Sequence, residues 1–429
     1  MHILIIPSWY KSINEPVLGS FFEEQARGLM QEGNKVGIMY SNFYPLKKIF
    51  EKKAEYIYYM DDNGIPTYSF AIQSFVPRSR DLNYYYIGLA TVRVFKHYVK
   101  QNGFPDIIHA HSAFHAGIAA AFLSKKYNIP YVITEHLTHY MTGGINHVDD
   151  LEYARKIFTG ASRAFAVSNA FKIELTKTLN LTDNTFKVMH NMVSNHFFEN
   201  AFEKKYIQGE PFIFLINSFL NARKNHELAF SALRILIDKK YNVKIRVGGY
   251  GEYETELRRI IASLRLQNHV TLLGSLSRAA VKEEMSNSHA FLLPSKYETF
   301  GVVLIESMAC GRPVISTNSG GPADIVTEHN GILLHTFDVN DFANAMEQMI
   351  LNYDTYDQQA ISNHCFENYS QTRISNLLMK EYAEVLASNK TATSVVSGNN
   401  TNLLLTFNYC PYFASQPVDY VQYLIDTTN

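Results

Sequence analysis

The segment from Pro294 to Glu306 (Pro-Ser-Lys-Tyr-Glu-Thr-Phe-Gly-Val-Val-Leu-Ile-Glu) holds two carboxylates about two helical turns apart. Glu298 falls on a loop, Glu306 falls inside an apolar helical run, and Gly301 stands where the loop turns into the helix. The first amides of a helix have no intrahelical partner and carry the positive end of its dipole, so this mouth can face an anion. A loop carboxylate, an anion site and a second carboxylate make a receptor for a phosphorylated, hydroxyl-rich ligand such as a sugar nucleotide. Taken alone, the two glutamates read more plainly as surface charge; their Phe-Gly and Gly-Arg-Pro surroundings argue against that.

The chain has 429 residues, which at about 150 residues per domain implies two or three cores. Its composition, 46% hydrophobic and 18% charged, can fill them. A formal net charge of −1 argues against a general nucleic-acid binder, whose domains are distinctly basic. Cys310, Cys365 and Cys410 are odd in number, far apart and without metal-ligand spacing, which fits a reduced, cytoplasmic compartment. The first apolar run, Ile3 to Ile6, is too short for a signal peptide. No later stretch reaches the ~18 apolar residues that a spanning helix needs. The expectation is a soluble protein.

Short apolar runs alternate with amphipathic helical patterns, the mark of parallel sheets with crossover helices. Strands are expected at 2–7, 35–40, 107–110, 131–134, 164–167 and 187–190. Ser20 and Glu23 have the spacing of a capping box ahead of a helix carrying Phe22, Ala26, Leu29 and Met30. A charged connection, 200–210, ends at Pro211, and the pattern restarts there. Strands then follow at 212–217, 244–248, 270–273, 290–294 and 313–316, with helices at 225–239, 253–266, 278–286 and 302–310. Two such α/β domains place a cleft between the carboxyl ends of their strands. Over 388–402 the composition turns Ser/Thr/Asn-rich, as in a linker, and the Tyr- and Phe-rich remainder to 429 carries no motif.

Further stations follow in the second half: Gly248-Gly249-Tyr250-Gly251, Leu273-Gly274, then Pro294-Ser295 leading into Glu298-Thr299-Phe300-Gly301. After them come Glu306-Ser307-Met308-Ala309-Cys310-Gly311-Arg312-Pro313-Val314 and Ser319-Gly320-Gly321-Pro322-Ala323-Asp324. In this order, over roughly 120 residues, they resemble glycosyltransferase family four, the retaining GT-B enzymes that use nucleotide-activated sugars. The resemblance implies an α/β fold of two Rossmann-like domains facing across a cleft. Residues 1–203, with a crossing helix at 369–387, would form the acceptor-side domain. Residues 204–368 would bind the nucleotide sugar, and 388–429 would be linker and tail.

The resemblance also assigns roles. It puts Glu298 on the donor sugar's hydroxyls and Glu306 on the ribose, whose diol wants a bidentate acceptor. Lys224, in Arg223-Lys224-Asn225, matches the family's phosphate-binding lysine, a fixed cation for charge on the departing diphosphate. Phe219 replaces the family's usual arginine, leaving Arg223 as the neighbouring cation to compensate. Phe300, Gly301, Val302 and Gly249 fall on the donor side, and Gly320 and Gly321 would let backbone approach the diphosphate. A strand-to-helix turn is the plainer reading of that glycine pair, as loop geometry is for Gly19.

In the first half, Ile6-Pro7-Ser8-Trp9-Tyr10 and Gly19-Ser20-Phe21-Phe22-Glu23-Glu24-Gln25-Ala26 resemble one branch's opening loop and first helix. Gly19 would there bring a phosphate near the backbone. His136, closing Tyr131-Val132-Ile133-Thr134-Glu135-His136, matches the family's cleft histidine, able to bond a hydroxyl and join in proton traffic. His109 and His111 end the neighbouring strand, where a structural role is the plainer reading, and Asn191 alone carries over from His190-Asn191-Met192-Val193.

The reading implied is transfer of a hexose from a nucleoside-diphosphate sugar to an acceptor hydroxyl with retention. The co-substrate is the nucleotide sugar, with no further cofactor and no protein-bound metal, and the acceptor is a glycan or lipid-linked glycan. Lys47-Lys48-Ile49-Phe50-Glu51-Lys52-Lys53 with Tyr56, Tyr58 and Tyr59 would suit peripheral contact with an anionic membrane, against the plainer reading of a solvated face. The alternatives are another GT-B activity, such as nucleotide-sugar epimerisation or phosphorolysis, and a non-catalytic sugar-nucleotide-binding protein, which Phe219 keeps open.

Overall fold

Apolar runs without alternation form strands covered on both faces, and Ile3, Leu4 and Ile5 accordingly have no exposed surface. The computed structural model describes residues 1–11, 18–44, 58–62, 64–73, 80–199 and 203–395. Its first sheet comprises β1 (His2–Pro7), β2 (Lys35–Tyr44), β3 (Tyr58–Asp62) and β4 (Ile65–Gln73). To these it adds β5 (Ile107–His111), β6 (Tyr131–Glu135), β7 (Arg163–Ala166) and β8 (Phe186–Val188). Their order is β3-β4-β2-β1-β5-β6-β7-β8, with every pairing parallel except β3 with β4. The second sheet holds β9 (Phe212–Asn217), β10 (Val243–Gly248), β11 (Val270–Gly274), β12 (Ala290–Leu293), β13 (Val314–Thr317) and β14 (Gly331–Leu334). It is wholly parallel in the order β11-β10-β9-β12-β13-β14.

Helices α1 (Ser20–Gln31), α2 (Arg80–Asn102), α3 (Ile118–Tyr127), α4 (Val148–Gly160) and α5 (Asn169–Thr178) connect the first sheet. Helices α6 (His226–Asp238), α7 (Glu254–Ser263), α8 (Arg278–Asn287), α9 (Val302–Ala309) and α10 (Val339–Leu351) serve the second. The chain then runs through α11 (Gln358–Tyr369) and returns to the first domain as α12 (Gln371–Val395). At the break between them Val193 N donates to Tyr369 O at 2.9 Å, tying the return to the end of the first sheet.

Both sheets reverse their strand order once, between β1 and β5 and between β9 and β12. Ligands of open α/β sheets bind outside the carboxyl ends of strands at such switch points. The two lobes bring these ends face to face and are packed together. One apolar cluster runs from Ile3 and Phe22 through to Leu304, Ile361 and Tyr382. Ser168 Oγ donates to Thr299 O at 2.6 Å, and Asp324 Oδ2 accepts from Asn169 N at 2.7 Å.

Several local expectations change. Gly19, at φ 70°, is the residue that caps α1, and it does so without a side-chain bond. Glu23 turns instead to Lys11 at 2.6 Å and to Arg27, so the expected capping box is not formed. Charged partners outcompete an amide for this half-buried carboxylate. The crossing helix begins at Gln371 rather than 369 and passes the expected linker start at 388 to reach Val395. Ser388 Oγ bonds back to Glu384 O at 2.9 Å, so hydroxyl-rich composition alone did not end the helix. The hairpin β3–β4, the long α2 and the edge strand β14 are elements that periodicity did not single out. Of the basic run at 47–53 and Tyr56 nothing is described, nor of 396–429. Among the described residues no helix is long and apolar enough to cross a membrane, and Cys310 and Cys365 are buried free thiols.

Candidate active site

Lys224 comes from the turn that follows β9. Asn221 Oδ1 accepts from Lys224 N at 3.2 Å, and Asn225, at φ 54°, then redirects the chain into α6. The lysine is only 4% exposed, and its Nζ donates to Glu298 Oε1 at 2.9 Å. Glu298 is itself fixed by backbone: its N donates to Ser319 O and its O accepts from Gly321 N, both at 2.9 Å. Burial draws the Lys224 ammonium below its ordinary pKa, and Glu298 only partly offsets this. Burial alone would raise Glu298, but the charge and hydrogen bond of Lys224 hold it below the usual carboxylate value.

Gly301, at φ 106°, caps α9 and leaves the helix mouth free of any side-chain cap. Five residues on, Glu306 is buried, and its Oε1 accepts from Arg278 Nη1. Gly249, at φ 133°, closes the same wall. A Cβ there would lie 1.8 Å from Ser218 O, so only glycine fits. Phe219, in place of the family's usual arginine, packs edge-on to Tyr250 with ring centroids 5.1 Å apart. Arg223 keeps a cation at this wall, and its charge, after burial, helps to depress His139 of the opposite lobe to about 4.

The other lobe contributes His136, just beyond β6. Glu135 shapes this loop, accepting from His136 N at 2.8 Å and Leu137 N at 2.9 Å with one oxygen and from Ala113 N at 2.8 Å with the other. His136 Nε2 lies 3.0 Å from His111 Nδ1, which leaves Nδ1 as its ring nitrogen available to a ligand. Behind it, Gln25 Nε2 lies 3.3 Å from His111 and 3.1 Å from His109 Nδ1, which in turn meets Tyr382 OH at 2.6 Å. Burial, with His109 adding to it, pulls His136 down to about 3, so it hydrogen-bonds as a neutral imidazole. No group of three or more His, Cys, Asp or Glu among the described residues is arranged to hold a metal ion.

These side chains meet in one cavity of about 200 Å³ between the lobes. His136, Arg223, Lys224, Gly249, Glu298, Phe300, Gly301, Val302 and Glu306 line it, together with Asn191. Gly19, Gly320 and Gly321 stand behind its wall. A Cβ on Gly321 would lie 2.3 Å from Phe300 Cα, and one on Gly320 would lie 2.7 Å from Glu298 O. What presses on this glycine pair is the Glu298–Phe300 backbone, joined at Gly320 by Met141 Cε, 2.5 Å from the same Cβ position.

Known proteins of similar sequence and fold place the chain in a family. Residues 18–196 match the model of Glycosyltransferase Family 4, and residues 197–364 match that of Glycosyl transferases group 1. The chain belongs to the family-four glycosyltransferases. It is 28% identical over 262 residues to an uncharacterized glycosyltransferase of Methanocaldococcus jannaschii, covering 61% of this chain and 69% of that one. It is 25% identical over 349 residues to a putative teichuronic acid biosynthesis glycosyltransferase of Bacillus subtilis, covering 78% and 85%. Anabaena HepE in complex with UDP-glucose superposes with a TM-score of 0.67 at 19% identity, over 90% of this chain and 100% of that one. The fold is therefore GT-B.

The cavity of this glycosyltransferase has further walls that sequence reasoning missed. Glu24, Arg278, Trp9 and Phe21 line it, and Glu135 supports it from behind. Glu24 and Glu135 fall inside the quoted motifs without a role of their own: the Arg278 partner of Glu24 lies on another element, and Glu135 holds its own neighbours His136 and Leu137 as well as Ala113. Asp324, the last residue of the Ser319–Asp324 motif, joins the lobes through Asn169 and His190.

Proposed function

We propose that this glycosyltransferase moves a hexose from a nucleoside-diphosphate sugar to an acceptor hydroxyl and keeps the anomeric configuration. The observation that carries the reading is the buried Lys224–Glu298 pair at 2.9 Å, sharing one interlobe cavity with Glu306 and the α9 mouth. Lys224 and the α9 amides would take the diphosphate, whose charge grows as the sugar leaves. Glu298 would then exchange part of its bond to Lys224 for the sugar's hydroxyls, and Glu306 would hold the ribose. The leaving diphosphate and the incoming hydroxyl would share one face of the sugar, so no enzyme nucleophile is needed. His136 Nδ1 would bond a hydroxyl of the reacting sugar from the opposite lobe. Closure around the donor excludes water and suppresses hydrolysis. A polysaccharide or glycolipid acceptor is supported by the likeness to a putative teichuronic acid biosynthesis glycosyltransferase.

A thermal-shift panel of uridine, guanosine and adenosine diphosphate sugars tests the donor class. One of them is expected to raise the melting temperature where its free sugar does not. No shift with any diphosphate sugar would remove the basis of the proposal.

A further inference from the structure

Glu24 sits on α1, in the lobe opposite the proposed donor seat, yet it is only 7% exposed and lines the same cavity. Arg278, the first residue of α8, joins the two sides. Its Nη2 donates to Glu24 Oε1 and its Nη1 to Glu306 Oε1. The guanidinium carbon also lies 4.7 Å from the centroid of the Phe197 ring. A planar fork with both arms on carboxylates and one face on an aromatic ring has a single orientation, so the two carboxylates are held side by side. Gln371 Nε2 adds a bond to Glu24 O at 2.7 Å, fixing the turn of α1 that carries the side chain.

The other carboxylate oxygen, Glu24 Oε2, is buried and has no hydrogen-bond partner among the described residues. A buried acceptor of this kind is costly until a donor arrives. Two carboxylates on one guanidinium leave the corner with net negative charge when both are ionised, which repels phosphate and welcomes neutral hydroxyl donors. Lys224 and the α9 mouth, which attract phosphate, line the same cavity.

We infer that Glu24 is a donor-binding residue supplied across the cleft, its carboxylate turning to accept a hydroxyl of the pentose that Glu306 holds, with Arg278 as the residue that positions both carboxylates. This rests on the proposed ribose seat at Glu306. It makes pentose recognition a joint act of both lobes, so seating the nucleotide fastens the first lobe to the second. Burial, joined by the neighbouring Glu306 charge, pushes the Glu24 carboxyl up to about 7 against the pull of Arg278.

The test titrates the full chain with uridine, guanosine and adenosine diphosphates and compares the one that binds with its 2′-deoxy and 3′-deoxy forms. Loss of the contacted hydroxyl is expected to weaken wild-type binding about tenfold. Glu24→Ala is expected to lose about tenfold for the ribonucleotide and to become indifferent to that hydroxyl. Glu24→Gln keeps the side chain's size and carries the test should Glu24→Ala fail to fold, with a selective loss of about threefold. Arg278→Lys keeps the charge without the fork and is expected to blunt the same discrimination, which a merely structural role would leave intact. An equal loss for ribo and deoxy forms, or no loss, in the Glu24 variants overturns the inference. If Glu306→Ala abolishes hydroxyl discrimination while the Glu24 variants keep it, the ribose seat stands and the inference alone falls. If wild type ignores both hydroxyls, or binds none of the three diphosphates, both fall.

Discussion

Lys224 Nζ stands 2.9 Å from Glu298 Oε1, so the cation proposed for the diphosphate and the carboxylate proposed for the sugar are each other's counter-ion. A donor entering this site therefore rearranges an existing ion pair rather than filling a gap between independent charges.

The pair predicts coupled effects of substitution. Lys224→Met removes the charge that answers the departing diphosphate and is expected to lower kcat by about 10²–10³. It also strands Glu298 in a buried place, and breaking such a pair from one side costs about 3–5 kcal/mol. Lys224→Met combined with Glu298→Leu is expected to be less destabilised than the sum of the two single variants. Urea unfolding of all four proteins gives the coupling energy directly, and strictly additive values would mean that the pair does not form in solution.

Gly249 predicts a steric effect. An alanine there sets a Cβ 1.8 Å from Ser218 O at a φ of 133°, so the strand end must move. Gly249→Ala is expected to cost about 2 kcal/mol or more and to disturb the wall that carries Ser218 and Tyr250. Thermal melting together with donor affinity checks this. A variant as stable as wild type would show that the turn is looser than described.

The buried histidines predict an acid weakness. Burial lowers His109 and His136 from 6.5 to about 3, and it lowers His111 well below 6.5. As pH falls below 6.5 the unfolded chain takes up protons that the folded chain refuses, so the stability present above that value is lost toward about 3. Each histidine adds a slope of up to about 1.4 kcal/mol per pH unit. His109→Asn is expected to shed about one such share between roughly pH 6 and 4.5, as read from denaturant midpoints across pH. An unchanged slope would indicate that His109 titrates normally.

The contiguous motif was the most legible part of the site. Pro294 to Glu306 brings its own loop, helix mouth and carboxylates, so local spacing alone places Glu298, Gly301 and Glu306 on one cavity. Lys224 was legible through the resemblance, which puts the family's phosphate-binding lysine in the turn after this strand. Arg278 and Glu24 were not, because they meet 254 positions apart and only docking of the lobes joins them. Gly320 and Gly321 show a subtler gap. Sequence marks a place where only backbone fits, but not whether the neighbour is a phosphate or Phe300. In the fold, buried parallel strands announced themselves as apolar runs, whereas β3, β4 and β14 sit toward sheet edges, where that signal fades.

Calorimetric titration of the stabilising diphosphate sugar into wild type and Glu306→Ala tests the central claim most directly. Loss of a charge-assisted contact worth about 1.5–3 kcal/mol predicts that the variant binds at least about tenfold more weakly while remaining folded. Equal affinity in the two proteins would contradict the account, because the donor would then lie elsewhere than between Lys224 and Glu306.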